Sequence, residues 1–268
     1  MKRTLIAALM VSAFWPLAAD AHKRWLLPTD FSLSDAEQVS IDLTASNNLF
    51  YVDKGMPPVG ISIIDPQGVT HEPINPVKRK RRSVFDVDIE QPGTYRILQG
   101  GVPMYFVSYK VPGEEQPQRG RGALEELKAG LPDNAQEISF AESVSLVETY
   151  VTLGAPSKNF GSSKKGIELT GGDHPNMLYA DEPSRFEFSL NGKPAKGLTL
   201  EVTPDGTRYR DSLGTVSYTL DAKGGAEVEW STPGRYLLEV ATEQKMPEGS
   251  EIAKRYYSYF VTVEVLKP

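Results

Sequence analysis

Apolar and polar residues alternate along most of this chain with a period of two, the spacing that turns one face of a β-strand to a core. Val39-Ser40-Ile41-Asp42-Leu43 is the clearest short case, and residues 59–64, 84–89, 94–98 and 104–111 continue the pattern. After Pro183 the same vocabulary returns at 185–190, 198–202, 216–220, 226–230, 236–241 and 256–265, with a further strand expected at 144–153 between the two groups. Asn191-Gly192 is a two-residue hairpin signal, because both residues tolerate the positive φ that such a turn needs. Helical spacing is confined to residues 123–129, where Gly130 supplies a stop. The pattern predicts an all-β protein: two β-sandwich domains at 22–112 and 165–268, joined over 113–164 by a linker with one short helix.

A loose repeat supports two related halves. Ile64-Asp65-Pro66-Gln67-Gly68 is answered by Val202-Thr203-Pro204-Asp205-Gly206, and Gln91-Pro92-Gly93-Thr94-Tyr95 by Thr232-Pro233-Gly234-Arg235-Tyr236. In the second pair a Pro-Gly reversal precedes a tyrosine that enters a strand. Pro-Gly turns are common in β-proteins, but their matched order favours a repeat.

The first 21 residues break the alternation. Lys2 and Arg3 precede an apolar run over 5–17 that is too short to span a bilayer, and Ala19-Asp20-Ala21 has the small-x-small form of a cleavage site. The expectation is a signal peptide at 1–21, cut after Ala21, and a periplasmic mature chain that starts at His22 and has no transmembrane segment. Formal net charge is −6 for the full chain, and one unit more negative without the leader's two cations and one anion. Such a balance disfavours a nucleic-acid partner. There is no cysteine, so disulfides and thiolate metal sites are excluded and the fold rests on core burial.

Three histidines are present. His22, if it becomes the terminus, offers its α-amine and imidazole Nδ1 to one ion, and such nitrogen-rich sites suit Ni(II), Co(II) or Cu(II). His174, in Gly171-Gly172-Asp173-His174-Pro175-Asn176, is expected on a solvent-facing loop as a partner ligand, with Asp173 beside it as an oxygen donor. A loop histidine that merely bonds its own backbone is the alternative there. His71 reads as a surface residue near a hairpin tip. Lys78-Arg79-Lys80-Arg81-Arg82 is the strongest local charge feature, read either as a solvated hairpin end or as a contact for anionic lipid or an acidic partner. The scattered methionines read as apolar filling. No Gly-x-Ser-x-Gly elbow, phosphate-cradling loop, His-Glu-x-x-His helix or cysteine nucleophile occurs, and no carboxylate pair is singled out by context, so a non-enzyme is expected.

Several stretches resemble a family of exported proteins with a domain of unknown function that is linked to nickel or cobalt transport as a periplasmic component. They are Ala21-His22-Lys23-Arg24-Trp25-Leu26-Leu27-Pro28, Ser46-Asn47-Asn48-Leu49-Phe50, Glu148-Thr149-Tyr150-Val151-Thr152-Leu153-Gly154-Ala155-Pro156, His174-Pro175-Asn176, Phe188-Ser189-Leu190-Asn191-Gly192-Lys193-Pro194 and Gly206-Thr207-Arg208-Tyr209-Arg210-Asp211. The second domain also resembles small transthyretin-like and bacterial Ig-like modules. The family resemblance implies metal-binding at His22 and His174, and a membrane metal transporter as partner. Met177 departs from the family pattern, which places an acidic residue there; if that residue helps to hold metal, this protein binds more weakly or uses Asp173 instead. The leading expectation is therefore a divalent metal-binding accessory protein for nickel, cobalt or copper uptake. The alternative is a non-catalytic envelope interaction or glycan-binding module. A copper oxygenase built on a terminal-histidine brace ranks last, since it needs a second imidazole from His71 or His174.

Overall fold

The computed structural model describes residues 23–100, 102–158, 160–161 and 164–268. The expected signal peptide and His22 lie outside the described residues. The chain is nearly all β, with the expected helix present as Leu124–Ala129, closed by the backbone N–H of Gly130 on the carbonyls of Glu126 and Lys128.

Three sheets are stacked face to face. The first contains Lys23–Pro28, Glu37–Ser46, Ser83–Ile89 and Ile74–Lys78 in that spatial order, all antiparallel. The second, of 12 strands among the described residues, has Thr199–Pro204, Gly234–Lys245, Ile252–Leu266, Gln136–Leu153, Gly93–Gln99 and Ile61–Ile64 side by side. The third contains Ile167–Gly172, Ser184–Leu190, Lys193–Pro194 and Gly225–Val228.

Two sandwich cores result, and the large sheet serves both. Trp25, Ile41, Leu43, Phe85 and Ile89 of the first sheet pack on Ile63, Ile97, Val147 and Val151. Phe186, Phe188 and Val228 of the third sheet pack on Leu238, Val240, Tyr259, Val261 and Val263. At its centre the large sheet is covered on both faces. Along Ile252–Leu266, Tyr259 and Val261 enter the second core while Phe260 enters the first; along Gly234–Lys245, Leu238 and Leu237 divide in the same way. Along Gln136–Leu153, Tyr150 enters the second core and Val151 the first. Period-two geometry sends neighbours to opposite faces, so a strand buried on both sides must be apolar nearly throughout. Tyr259-Phe260-Val261-Thr262-Val263 is such a run.

The segment 113–164, expected to be a linker with one short helix and a strand at 144–153, contributes a longer strand, the 18-residue Gln136–Leu153. From Phe140 to Thr149 this strand runs parallel to Ile252–Leu266 and ties the halves into one sheet. The repeat proposed from the Pro-Gly turns is visible at both reversals. Gly93 and Gly234 have φ of 124° and 140°, and each is followed two residues on by a tyrosine whose hydroxyl returns to the turn backbone. Tyr95 Oη accepts from Gln91 N–H at 3.0 Å, and Tyr236 donates to the Thr232 carbonyl at 2.7 Å. Both have the form of the tyrosine corner of Ig-like sandwiches.

Candidate functional site

A cleft of about 680 Å³ opens where the two sandwiches meet, lined from the Ile61–Ile64, Gly93–Gln99, Gln136–Leu153, Ile167–Gly172 and Ile252–Leu266 strands and the Asn191 turn. Buried charges stand at its floor, where Arg96 and Glu168 line it and Glu148 lies against Arg96. Arg96 is 5% exposed, Glu168 2% and Glu148 not exposed at all. The Arg96 guanidinium donates through Nε and Nη2 to the two oxygens of Glu148, a bidentate pair, and its Nη2 lies 3.6 Å from Glu168 Oε1. Tyr150 donates its hydroxyl to Glu148. One guanidinium therefore bridges a carboxylate carried by the large sheet and another carried by the third sheet. Burial acts to lower the Arg96 pKa, but Glu148 more than offsets it, and the group is held above its ordinary value. Burial, then the Glu148 charge, push the Tyr150 and Tyr259 phenols well up. Gly161 closes over the network. A Cβ there would stand 2.9 Å from Glu168 Oε1, closer than real Cβ contacts come, and a tight 3.0 Å from Arg96 Nη2, so the site favours glycine.

The opposite wall is more open. Arg255 pairs through Nε with Glu142, and the Tyr257 hydroxyl oxygen accepts from Asn191 Nδ2 at 3.1 Å and from Arg255 Nη1 at 3.4 Å. Both contacts use the oxygen, so the Tyr257 proton remains its capacity to donate. Asn191 is placed by its turn: φ is 52° at Asn191 and 74° at Gly192, and Leu190 pairs with Lys193 across the two-residue hairpin that the Asn-Gly pair predicts. Leu98, Val144 and Leu146 give the cleft aliphatic patches beside these polar groups.

Two of the expected metal ligands, His174 and Asp173, are placed apart from this cleft. His174 is half-buried rather than solvent-facing. Its Nδ1 accepts from the Asn176 backbone N–H at 3.1 Å, which assigns the proton to Nε2, and Nε2 faces the Ser157 carbonyl at 3.1 Å and Thr94 Oγ1 at 3.0 Å. Both nitrogens are thus engaged, tying the 157 loop to the Gly93 turn. Asp173 N–H donates to the Arg185 carbonyl at 2.7 Å, and its Oδ2 accepts from Arg185 N–H at 2.7 Å. Its carboxylate and the His174 ring thus serve different partners. His71 is half-exposed, with Nε2 2.9 Å from Asp65 Oδ2. Among the described residues no three His, Cys, Asp or Glu side chains come together as a metal group. His22 lies outside the described residues.

Burial lowers the His174 pKa, opposed by its bond to Ser157. A folded value below the unfolded ~6.5 means that the unfolded chain takes up a proton first as pH falls. The resulting stability is complete above about pH 6.5 and is lost below it, through the folded-state pKa. Denaturation midpoints at pH 7.5 and 5 are expected to fall further apart in the wild type than in His174→Gln. Equal falls in both proteins would remove His174 from the acid sensitivity.

The family model for a domain of unknown function, DUF4198, matches residues 19–244. The chain belongs to this family. No curated protein matches it. Among solved structures it is similar to the D0-D1 domain of intimin, at 12% identity over 90% of this chain and 97% of that one, with a TM-score of 0.23. It is also similar to trypsin-activated alpha-2-macroglobulin from Escherichia coli, at 15% identity over 90% of this chain and 15% of that one, with a TM-score of 0.21. The elastase-activated form of the Escherichia coli protein is similar at 10% identity over 90% and 31%, with a TM-score of 0.22. The DUF4198 match spans both sandwiches and most of the cleft's lining. Arg255 and Tyr257 lie beyond its end.

The buried Arg96–Glu148–Glu168 network was not singled out by sequence reasoning. A glutamate at the head of Thr149-Tyr150-Val151-Thr152-Leu153 and an arginine between Tyr95 and Ile97 are the signals that could have found it. An ionisable residue on a strand covered on both faces has no solvent side to turn to.

Proposed function

We propose that this DUF4198 protein is an exported, non-catalytic binding module of the cell envelope that seats a small polyhydroxylated ligand, a sugar or short glycan, between its two sandwiches. The observation that carries this reading is the composition of the cleft. Its polar groups are fixed by bonds to one another, as in Glu142–Arg255–Tyr257–Asn191, and they stand beside aliphatic patches. Sugars present a hydroxyl rim and apolar C–H faces, which such a surface matches. Groups already held in place lose little freedom on binding. A volume of about 680 Å³ is in the range of small-molecule sites.

A second reading, a periplasmic accessory that captures Ni(II), Co(II) or Cu(II) for a membrane transporter, is supported by the position of His22 after the expected cleavage site and by the family resemblance. The described residues do not fit a metal site on their own, because His174 and Asp173 are engaged elsewhere. This reading therefore rests on the terminal amine and imidazole.

Calorimetric titration of the chain that begins at His22 separates the two. A panel of mono- and oligosaccharides should give a binder that Tyr257→Phe weakens about fivefold, the worth of one neutral hydrogen bond, and that His22→Ala leaves unchanged. A panel with no binder would overturn the cleft reading. Metal uptake that survives His22→Ala would overturn the second.

A further inference from the structure

The basic run at 78–82 takes no part in the cleft, and the fold adds to it. Its tip is closed by Arg79 N–H on the Arg82 carbonyl at 2.9 Å, and Gly55 N–H donates to the Lys80 carbonyl at 3.1 Å. That places Lys54 next to the tip. A Cβ on Gly55 would stand 2.2 Å from the Arg79 carbonyl oxygen, so this close approach depends on glycine. Two of the run's cations are engaged: Arg82 with Asp42 at 3.2 Å, and Arg81 with the Val52 carbonyl at 2.9 Å. Lys78, Arg79 and Lys80 are exposed and have no carboxylate partner among the described residues.

The second half of the chain reaches the same place. Arg208 lies 4.5 Å from the centre of the Tyr51 ring, whose other cationic neighbour is Arg81 at 5.3 Å. The Arg208 loop, held by Arg210 on the carbonyls of Pro204, Asp205 and Leu213, carries two large apolar side chains into solvent. Tyr209 is 86% exposed and Leu213 45%. Asp53 is close enough for its charge to act on Arg81. In a chain of formal charge −6, the cations of the 78–82 run with Lys54, Arg208 and Arg210 outnumber the nearby Asp42, Asp53, Asp205 and Asp211 at this end, and they stand beside exposed apolar groups.

We propose that the face formed by the 78–82 tip and the 207–213 loop docks the protein on an anionic bilayer surface. Cations alone would suit any polyanion, whereas cations beside an exposed tyrosine and leucine match a lipid interface, where headgroups meet the charge and the acyl boundary takes the ring. The rest of the acidic molecule is repelled by such a surface, so the contact is oriented through this face.

Co-sedimentation of the full processed chain with vesicles tests this. Vesicles of phosphatidylcholine with 30% phosphatidylglycerol are expected to bind it, pure phosphatidylcholine vesicles to leave it in solution, and 0.5 M salt to release it. The triple variant Lys78→Gln/Arg79→Gln/Lys80→Gln should lose on the order of 100-fold in partition. Tyr209→Ser should weaken vesicle binding severalfold without changing retention on a soluble polyanion such as heparin. These residues are exposed, and unchanged thermal midpoints verify that the variants fold. No vesicle binding, equal binding to both vesicle types, or retention on heparin combined with indifference of vesicle partition to Tyr209→Ser would overturn the assignment, the last in favour of a soluble polyanion.

Discussion

Replacing Arg96 with alanine is expected to destabilise the protein by about 3–5 kcal/mol at neutral pH, read as a lowered denaturant midpoint at unchanged slope. The guanidinium is the counter-charge that the network places between Glu148 and Glu168, and both carboxylates are at most 2% exposed. Deleting it leaves negative charge in a region where water does not replace the lost donor, a cost beyond the packing of one side chain. The same change exposes its cause through pH. Glu148, which loses its bidentate counter-charge in the variant, becomes easier to protonate there than in the wild type, so the variant regains stability as pH falls. The gap between wild type and Arg96→Ala should therefore narrow from pH 7 to pH 4. A loss under about 1 kcal/mol, or a gap constant with pH, would show that the network is held by packing alone. The arrangement bears on the proposed binding site as well. Arg96 and Glu168 come from opposite sides of the cleft and fix its width, so the variant should also bind the cleft ligand more weakly than Tyr257→Phe does.

Much of the architecture was legible from periodicity. Strands that face a core on one side, such as Glu37–Ser46 and Ser184–Leu190, alternate cleanly, and the short helix and the Asn191-Gly192 hairpin stand at their expected positions. The both-face burial of 147–153 and 259–263 was less visible. Those strands read simply as strands, since a near-continuous apolar run does not say what covers its second face. Parallel pairing between them joins residues more than 100 positions apart, and no local pattern encodes it. The candidate site was largely hidden for a related reason. Its key charges sit singly on three strands, and each looks like an ordinary solvent-side residue until the strands are brought together. His174 shows the opposite error: a glycine-led loop suggests exposure, yet Asn176 and Thr94 turn the ring into a structural tie. Asn176 itself donates to the carbonyls of Phe31 and Tyr150, which holds that loop down.

Residues 22–164 expressed alone are expected not to fold, although this span contains every strand of the first sheet. Its sandwich core is completed from the other half by Leu237 and Phe260, 1% and 3% exposed, so the isolated piece would lack part of the floor of its own core. Its longest strand, Gln136–Leu153, would also lose the pairing with Ile252–Leu266 that runs from Phe140 to Thr149, leaving a long apolar edge open to other copies. The second half is no better placed, since Tyr150 fills its core from the first. The two sandwiches should accordingly unfold in one transition in the whole chain, the calorimetric and van't Hoff enthalpies agreeing. The 22–164 fragment should show no cooperative melt and should aggregate at micromolar concentration. A fragment with a sharp transition and native near-ultraviolet dichroism, or a whole chain that melts in two separate steps, would contradict the shared sheet as the source of cooperativity.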